Sequence, residues 1–386
     1  MSAHAPIAAG LKGRLTRWRD AFTRFIGLGA FSGATLGVWL RVLRENHYSI
    51  DWPYWPRAVF ITLGTLPNTL AAPFEKMLFG AKIARTEIPP PLIILGTWRS
   101  GTTHLHNLFA VDDRFAYPNL YQITYPSTFL LNERMMAPIM SLFVPAKRPM
   151  DNVKMSVTEP QEDEFGINSL TGHTPLLTMA FPRNMPFHER FLTLGDVTVG
   201  EKEEWKAALL LFARKLTFKY GRPLVLKSPA HTCRIGLLRE LFPQAKFVHI
   251  RRNPYDVFPS AKHTAIQAGA WWRFQRPPSE QVTDEMVLRH YRVVYDGFFA
   301  EKASIPPGHF YEIAYEDLER DPVGQLEAAY VALGLPDFSH VEQRVTQYVK
   351  SLSGYQKNAF KPLPEPLRQR IATEWRRCFE EWGYPV

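Results

Sequence analysis

The segment Gly96–Thr103 has the residue types and spacing of a loop that binds an oxyanion. It follows Leu92–Leu95, a short apolar run typical of a buried parallel strand, and it precedes His104–Val111, which we predict to begin a helix. Glycines allow a backbone to wrap around an anion, and the first amide N–H groups of a helix point toward it. The segment therefore predicts a strand, a loop and a helix that together bind phosphate or sulfate.

The two glycines of this loop, Gly96 and Gly101, have the spacing of a Walker A loop, but the lysine expected after Gly101 is Thr102. The basic residue of the loop is instead Arg99. The missing lysine is the group that reaches the β- and γ-phosphates of a triphosphate. The loop therefore fits a donor with one 5′-phosphate joined to sulfate. A nucleotide-dependent kinase is the alternative, and it would also need a Walker B acid, which is not evident.

Further candidate residues follow two short apolar segments downstream. Lys227 follows Pro223–Leu226, and Arg252 comes just after Lys246–Ile250. Ser260 lies eight residues after Arg252, where a helix would turn its hydroxyl back toward the end of the strand. A guanidinium group and a hydroxyl group together suit a terminal phosphate. The spacing therefore predicts a second anion site.

Strands that alternate with helices would position both sites. This order predicts an α/β fold with a central, mainly parallel sheet, in which ligands bind at the carboxyl ends of the strands. Both Gly96–Thr103 and Arg251–Ser260 occupy that position. A further strand is predicted at Phe310–Ile313, and a terminal helix is predicted after Pro364.

Three ordered motifs carry a resemblance to a known family. Trp98–Thr103 resembles the 5′-phosphosulfate loop of sulfotransferases that use 3′-phosphoadenosine 5′-phosphosulfate (PAPS), with arginine for the usual lysine, as in the tyrosylprotein branch and many bacterial members. Leu226–Pro229 resembles the family's lysine segment, and Phe247–Asp256 with Ser260 resembles its 3′-phosphate signature. The resemblance covers roughly residues 90 to 360. It implies a P-loop-like three-layer fold and transfer of a sulfuryl group from PAPS to a hydroxyl or amine.

The resemblance also implies roles for the matching residues. Arg99 and Lys227 would contact the bridging and sulfate oxygens, and Ser100–Thr103 would hold the 5′-phosphate. Arg252 and Ser260 would hold the 3′-phosphate. In-line displacement would leave adenosine 3′,5′-bisphosphate as the product, with preorganised cations and amides supplying most of the acceleration.

This chain departs from the family pattern at three places. The histidine that cytosolic members have two residues after the lysine is Pro229 here, and His231 lies two residues further on. The catalytic glutamate of the tyrosylprotein branch has no counterpart near Leu120. The family's carboxy-terminal Arg-Lys-Gly phrase is absent, so Lys357, beside Asn358, is the candidate to close over the nucleotide.

The general base is therefore open at the level of sequence. The acidic cluster Glu159–Glu164 offers Glu162 and Glu164, because crowded carboxylates raise one another's pKa toward the range of a base. His231 and His173 are further candidates. The same cluster also fits a structural role, since a proline followed by acids is a common way to start a helix.

Composition limits the function classes. The chain has 386 residues, a formal charge of +9 and only two cysteines, so it offers no disulfide framework and no zinc pattern. It contains no nucleic-acid-binding motif and no Asn-x-Ser/Thr site. We therefore expect a cytoplasmic enzyme with an anionic partner, no metal and no nucleic acid. Its acceptor would be a small or lipid-like molecule, for which the aromatic stretches Tyr117–Phe129 and Trp271–Phe274 either line a pocket or pack the core.

Residues 1–85 are predicted to form a helical appendage to an α/β domain that spans residues 86–386. Basic residues from Lys12 to Arg24 precede an uncharged run, Phe25–Leu40, and a second apolar stretch, Ala58–Phe74, is interrupted by Pro67 and Pro73. Phe25–Leu40 is shorter than the roughly 20 residues that span a bilayer. The appendage is therefore a candidate for peripheral contact with a membrane surface. A non-catalytic, membrane-associated nucleotide-binding protein is a second alternative, and the sequence assigns no oligomeric state.

Overall fold

The computed structural model describes residues 31–145, 147–148 and 150–386. The basic residues from Lys12 to Arg24 and the start of Phe25–Leu40 lie outside the described residues. In chain order the helices and strands are α1 (Leu36–Glu45), α2 (Trp55–Ala84), β1 (Leu92–Leu95), α3 (Thr102–Ala110), α4 (Leu120–Thr124), α5 (Phe129–Ser141), α6 (Asp163–Thr171), α7 (Leu177–Ala180), α8 (Met185–Glu189), α9 (Val199–Tyr220), β2 (Val225–Lys227), α10 (Ile235–Leu241), β3 (Lys246–Arg251), α11 (Pro254–Trp272), α12 (Glu280–Glu301), β4 (Phe310–Ala314), α13 (Tyr315–Arg320), α14 (Pro322–Ala332), α15 (Ser339–Ser351), α16 (Glu365–Glu374) and α17 (Arg376–Trp382).

The four strands form one parallel sheet in the order β2-β1-β3-β4. Ile93 at the centre of β1 is aligned with Leu226 of β2 and with Phe247 of β3. The central strand β1 is apolar and buried throughout, as expected where both faces of a sheet are covered. The predicted parallel α/β sheet is confirmed, and β1 has the predicted bounds.

Alternate residues of β1 enter two different apolar clusters, one on each face of the sheet. Leu92 and Ile94 pack in a cluster with Phe109 of α3. Ile93 packs in the other cluster with Phe212 of α9. Because successive side chains of a strand point to opposite faces, this pattern gives helix, sheet and helix layers. The predicted three-layer arrangement is therefore present.

The helices α1 and α2 pack on the rest of the molecule through a third cluster, which includes Phe31 and Trp39 together with Phe181 and Phe274. The Arg57 guanidinium of α2 donates to the carbonyl of Arg273 over 2.6 Å. The prediction of helices before residue 85 is thus confirmed for the described part.

One expectation for α2 is wrong, because the helix continues through Pro67 and Pro73. A proline deletes one intrahelical hydrogen bond, and packing against α1 and α9 outweighs that loss. Among the described residues, no helix is both long and apolar enough to cross a membrane.

Candidate active site

The loop after β1 is wound tightly by two glycines with positive φ angles, Gly96 at 142° and Gly101 at 106°. A Cβ atom at Gly96 would lie 2.6 Å from the Ser100 hydroxyl and 2.8 Å from the carbonyl of Ile250, so only glycine fits. Arg99 also has a positive φ, 74°, a strained conformation that clusters at functional sites. Helix α3 begins at Thr102, two residues before the predicted start. Its first amide groups have no intrahelical acceptor and are available to an anion.

The two predicted anion sites meet in the structure. The Arg99 guanidinium donates through Nε to the Ser260 hydroxyl over 3.0 Å, and Arg252 donates to the backbone carbonyl of Arg99 over 3.2 Å. Arg252 also stacks on the Tyr315 ring at 4.1 Å. Its Nε atom is buried and has no acceptor among the described residues. A buried unpaired donor is costly, so this atom fits an additional anionic oxygen.

A carboxylate that the sequence did not reveal holds the Arg99 side chain. The second guanidinium nitrogen of Arg99 donates to Asp151 over 2.6 Å, and Arg148 donates to the same carboxylate over 2.8 and 3.0 Å. Burial alone would raise the pKa of Asp151, but Arg148 and Arg99 reverse this effect and place it below its ordinary value. Two guanidinium groups thus share one carboxylate beside the loop.

The predicted lysine lies opposite one of the candidate bases. The Lys227 ammonium donates to Glu162 over 2.7 Å, and the Lys227 amide donates to Asp163 over 3.1 Å. Burial lowers the pKa of Lys227, and the negative charge of Glu162 opposes that shift. Glu162 lies just before α6 and retains 16% side-chain exposure at a cavity wall.

The other candidate bases lie in the interior. Glu164 receives two hydrogen bonds from the buried Arg234, at 2.8 and 3.3 Å, and one from Thr174 at 3.0 Å. The His231 ring is fully buried, 2.7 Å from Asp163. These residues hold the start of α6 against the segment after β2, and neither Glu164 nor His231 lines the cavity.

The same interior cluster, Asp163, Glu164 and His231, is the one group in the described part of the chain with the spacing of metal ligands. Its carboxylates already face protein donors. The remaining candidate, His173, stacks on Phe191 at 4.9 Å and is likewise buried away from the cavity.

Lys357 lies in the exposed segment between α15 and α16, where it pairs with Glu319. Its ammonium group is 5.7 Å from the centre of the Tyr315 ring, the ring on which Arg252 stacks. The neighbouring Asn358 donates to the carbonyl of Met150 over 2.9 Å. The structure thus brings Lys357 to the same region as Arg252.

Two neighbouring cavities open beside these residues. One, of about 980 Å³, is lined by Arg99, Thr103 and Glu162 at one side and by Trp271 and Trp272 at another. The second, of about 620 Å³, is mainly apolar. Four residues line both cavities, namely Trp98, Leu176, Met179 and Thr264. The aromatic stretches Tyr117–Phe129 and Trp271–Phe274 contribute both to the cavity and to the core. Trp271 and Trp272 line the larger cavity, whereas Phe129 and Phe274 pack in the core.

A sequence model described as the sulfotransferase family matches residues 90–340, which hold every candidate group described above except Lys357. The chain belongs to the sulfotransferase family. Proteins from Mycobacterium bovis and Mycobacterium tuberculosis named omega-hydroxy-beta-dihydromenaquinone-9 sulfotransferase Stf3 are each 36% identical to it over 375 residues. That alignment covers 96% of this chain and 94% of each relative. Sulfuryl transfer is therefore the activity, and the kinase and non-catalytic alternatives are set aside.

Solved structures share the fold of this sulfotransferase. Sulfotransferase STF9 from Mycobacterium avium matches with a TM-score of 0.70 at 16% identity, over 95% of this chain and 96% of its own. Sulfotransferase STF1 from Mycobacterium tuberculosis matches with a TM-score of 0.66 at 17% identity, over 88% and 91%. These likenesses confirm the predicted α/β architecture.

Proposed function

We propose that this sulfotransferase transfers a sulfuryl group from PAPS to the hydroxyl of a lipid-like acceptor, with Glu162 as the general base. The observation that carries the proposal is the convergence of Arg99, Arg252 and Ser260 beside a cavity whose wall also holds Glu162. Enzymes of the family use PAPS as the sulfuryl donor, and its two phosphate groups and sulfate require several anion-binding groups.

The donor's anionic groups are divided among these residues. Amides and hydroxyls of Ser100, Gly101, Thr102 and Thr103 surround the 5′-phosphate, because they lie at the amino terminus of α3. Arg252, with its unpaired Nε atom, and Ser260 receive the 3′-phosphate. Lys357 approaches from the segment after α15 and covers the nucleotide.

The transfer step is an in-line displacement. The acceptor oxygen forms a bond to sulfur while the bond between sulfur and the bridging phosphate oxygen breaks, and adenosine 3′,5′-bisphosphate leaves. Glu162 takes the acceptor proton, since it is the acid of its cluster that combines contact with Lys227 and exposure to the cavity. Arg99 and Lys227 stabilise the negative charge that grows on the leaving oxygen and the sulfate. Glu164 and His231 act only as supports.

The two cavities favour an apolar acceptor that ends in a hydroxyl group. Three of the four residues shared by their walls are tryptophan, leucine and methionine, and the second cavity extends along Val257 and Met286. A long apolar chain would be desolvated there while its terminal hydroxyl meets Glu162. The name of the mycobacterial relatives specifies an omega-hydroxylated menaquinone derivative. A terminally hydroxylated polyprenyl compound is the acceptor class we propose for this chain.

The test has two stages. First, calorimetry should show binding of adenosine 3′,5′-bisphosphate and much weaker binding of ATP, and the reverse preference would overturn the donor assignment. Second, transfer of labelled sulfate from PAPS should be compared for a terminally hydroxylated polyprenyl acceptor, the same chain without the hydroxyl, and a short alcohol. Equal rates with the long and short alcohols would overturn the acceptor class while leaving the sulfuryl transfer intact.

A further inference from the structure

Helix α2 differs from an ordinary surface helix, because it buries polar and charged side chains beside Ala58, Ile61 and Ile83 and exposes large apolar ones. Its buried side chains include Arg57, Asn68 and Glu75. Its outward side chains are large and apolar, with Leu70 and Met77 exposed by 70% and 72%. We call the surface formed by Trp55, Leu63, Leu66, Leu70, Phe74 and Met77 the apolar face. A helix in contact with water presents the opposite pattern, so this face is suited to an apolar environment.

The contacts of the buried polar residues fix this orientation. Glu75 forms an ion pair with Lys215 of α9, and both side chains are almost fully buried. Asn68 donates to the carbonyl of Ser32 over 3.1 Å. Rotating α2 to bury its apolar face would break these contacts and leave charges unpaired in the interior, at a cost of several kcal/mol. The outward direction of the apolar face is therefore a property of the fold.

Helix α5 also carries exposed apolar side chains, and it meets α2 at Glu75. The Glu75 carboxylate accepts a hydrogen bond of 3.0 Å from the amide of Leu131, so the start of α5 lies directly against α2. Along α5 and the residue after it, Met135, Ile139 and Leu142 are exposed. Two helices that meet at Glu75 thus each carry several exposed apolar side chains, which is more than scattered single residues would give.

The exposed charges around this surface are mainly positive, and the exposed acid Glu87 follows three residues after the end of α2. In the described segment 52–86 the exposed charges are Lys76, Lys82 and Arg85, and in the segment 129–142 the exposed charge is Arg134. The acids of these segments, Glu75 and Glu133, are paired with lysines of α9. Two copies of the chain that met through this face would bring like charges together, which disfavours a dimer. An anionic lipid surface is complementary to both its apolar residues and its charges.

We propose that the apolar face of α2, together with the exposed side of α5, seats the protein on an anionic phospholipid bilayer. The helix would lie in the interface, because one of its sides is bound to protein and cannot enter lipid. The larger cavity is connected to the protein-facing side of α1 and α2, since Trp272 both lines it and packs against the cluster beneath these helices. This docking goes beyond the proposed sulfuryl transfer and does not depend on it.

The test uses the full chain and sedimentation with vesicles of phosphatidylcholine, with and without phosphatidylglycerol. The double variant Leu70→Glu/Met77→Glu changes two outward residues of the apolar face. The matched control, Val199→Glu/Val331→Glu, places the same charges at residues that are exposed by 80% and 76% elsewhere. Wild type and control should bind the anionic vesicles, and the double variant should bind at least about tenfold less. Binding should weaken with added salt.

Three outcomes would overturn this assignment. Wild type could fail to bind either vesicle. The double variant and the control could bind alike, which would place the contact elsewhere, for example in the basic residues from Lys12 to Arg24. Wild type could also be a dimer by light scattering that the double variant dissociates, which would make a second copy the partner. Binding of adenosine 3′,5′-bisphosphate, measured on every variant, shows whether the fold and the donor site are intact in each case.

Discussion

The guanidinium group of Arg252 donates a hydrogen bond to the backbone carbonyl of Arg99 over 3.2 Å, although the two residues are 153 positions apart in the chain. Each follows a strand, and the strands β1 and β3 are parallel neighbours, with Leu95 aligned to His249. The carboxyl ends of neighbouring parallel strands meet at one edge of the sheet. Strand order therefore brings two separate sequence motifs together at one edge of the sheet.

The first prediction concerns Arg252→Ala. This change removes the guanidinium whose buried Nε atom has no acceptor among the described residues, and with it the proposed charge-assisted contact to the 3′-phosphate. We expect the affinity for adenosine 3′,5′-bisphosphate to fall at least about thirtyfold, the equivalent of about 2 kcal/mol. Titration calorimetry measures this directly.

The neighbouring Arg251→Ala is the matched control. Arg251 faces the other way, toward Glu312 and the carbonyl of Trp382, so its loss should leave nucleotide affinity nearly unchanged. Equal losses in both variants, or none in Arg252→Ala, would remove Arg252 from the donor site.

How much of this site follows from sequence alone depends on the kind of contact. The groups at strand ends could be predicted, because a short apolar run followed by glycines or arginines specifies both an element and its edge. Arg148 and Asp151 could not, since they lie in an irregular segment and reach Arg99 only through tertiary packing. The sequence also could not distinguish Glu162 from Glu164 as the candidate general base, because the distinction depends on which residue precedes the first turn of α6.

The second prediction separates those two acids by their effects. Glu162→Gln keeps a hydrogen-bond partner for Lys227 and removes the proposed base. We expect kcat to fall about a hundredfold or more, with little change in the KM for PAPS, because a general base contributes on that scale. Steady-state kinetics with saturating acceptor measures both constants, and an unchanged kcat would assign the base to another group.

Glu164→Gln should act on stability instead. It leaves the buried Arg234 guanidinium without its opposite charge, so the free energy of unfolding should fall by about 3 to 5 kcal/mol. Urea unfolding measures this loss, and the kcat of the fraction that remains folded should stay within a few-fold of wild type. A fully stable Glu164→Gln protein without activity would contradict the supporting role.

The third prediction concerns the carboxylate shared by Arg99 and Arg148. Asp151→Asn removes a negative charge beside the proposed site of the anionic donor, so nucleotide affinity should rise severalfold. Asp113→Asn alters an exposed carboxylate that pairs with Arg344, and it should have no such effect. Weaker binding in Asp151→Asn would instead mean that Asp151 positions Arg99 for the donor.

His188 provides a prediction about acid stability that is independent of the site. Its ring is fully buried at the end of α8, and its Nε2 atom lies 2.9 Å from the side-chain oxygen of Asn46, just after α1. Burial, with a smaller effect of Arg190, lowers the pKa of His188 to about 3. The neutral ring donates this hydrogen bond, and protonation would place a charge in the buried interior.

An unfolded chain binds a proton at this histidine below about pH 6.5, whereas the folded protein does so only near pH 3. The contribution of neutral His188 to the free energy of unfolding is therefore complete above pH 6.5. It decreases as the pH falls, by roughly 2 to 3 kcal/mol between pH 6.5 and 4.5. His188→Gln keeps a donor for Asn46 and cannot titrate, so the dependence of its unfolding free energy on pH should be shallower by that amount. Urea unfolding across this range measures the difference, with the exposed His340→Gln as control. Parallel curves for wild type and His188→Gln would show that His188 is not kept neutral by the fold.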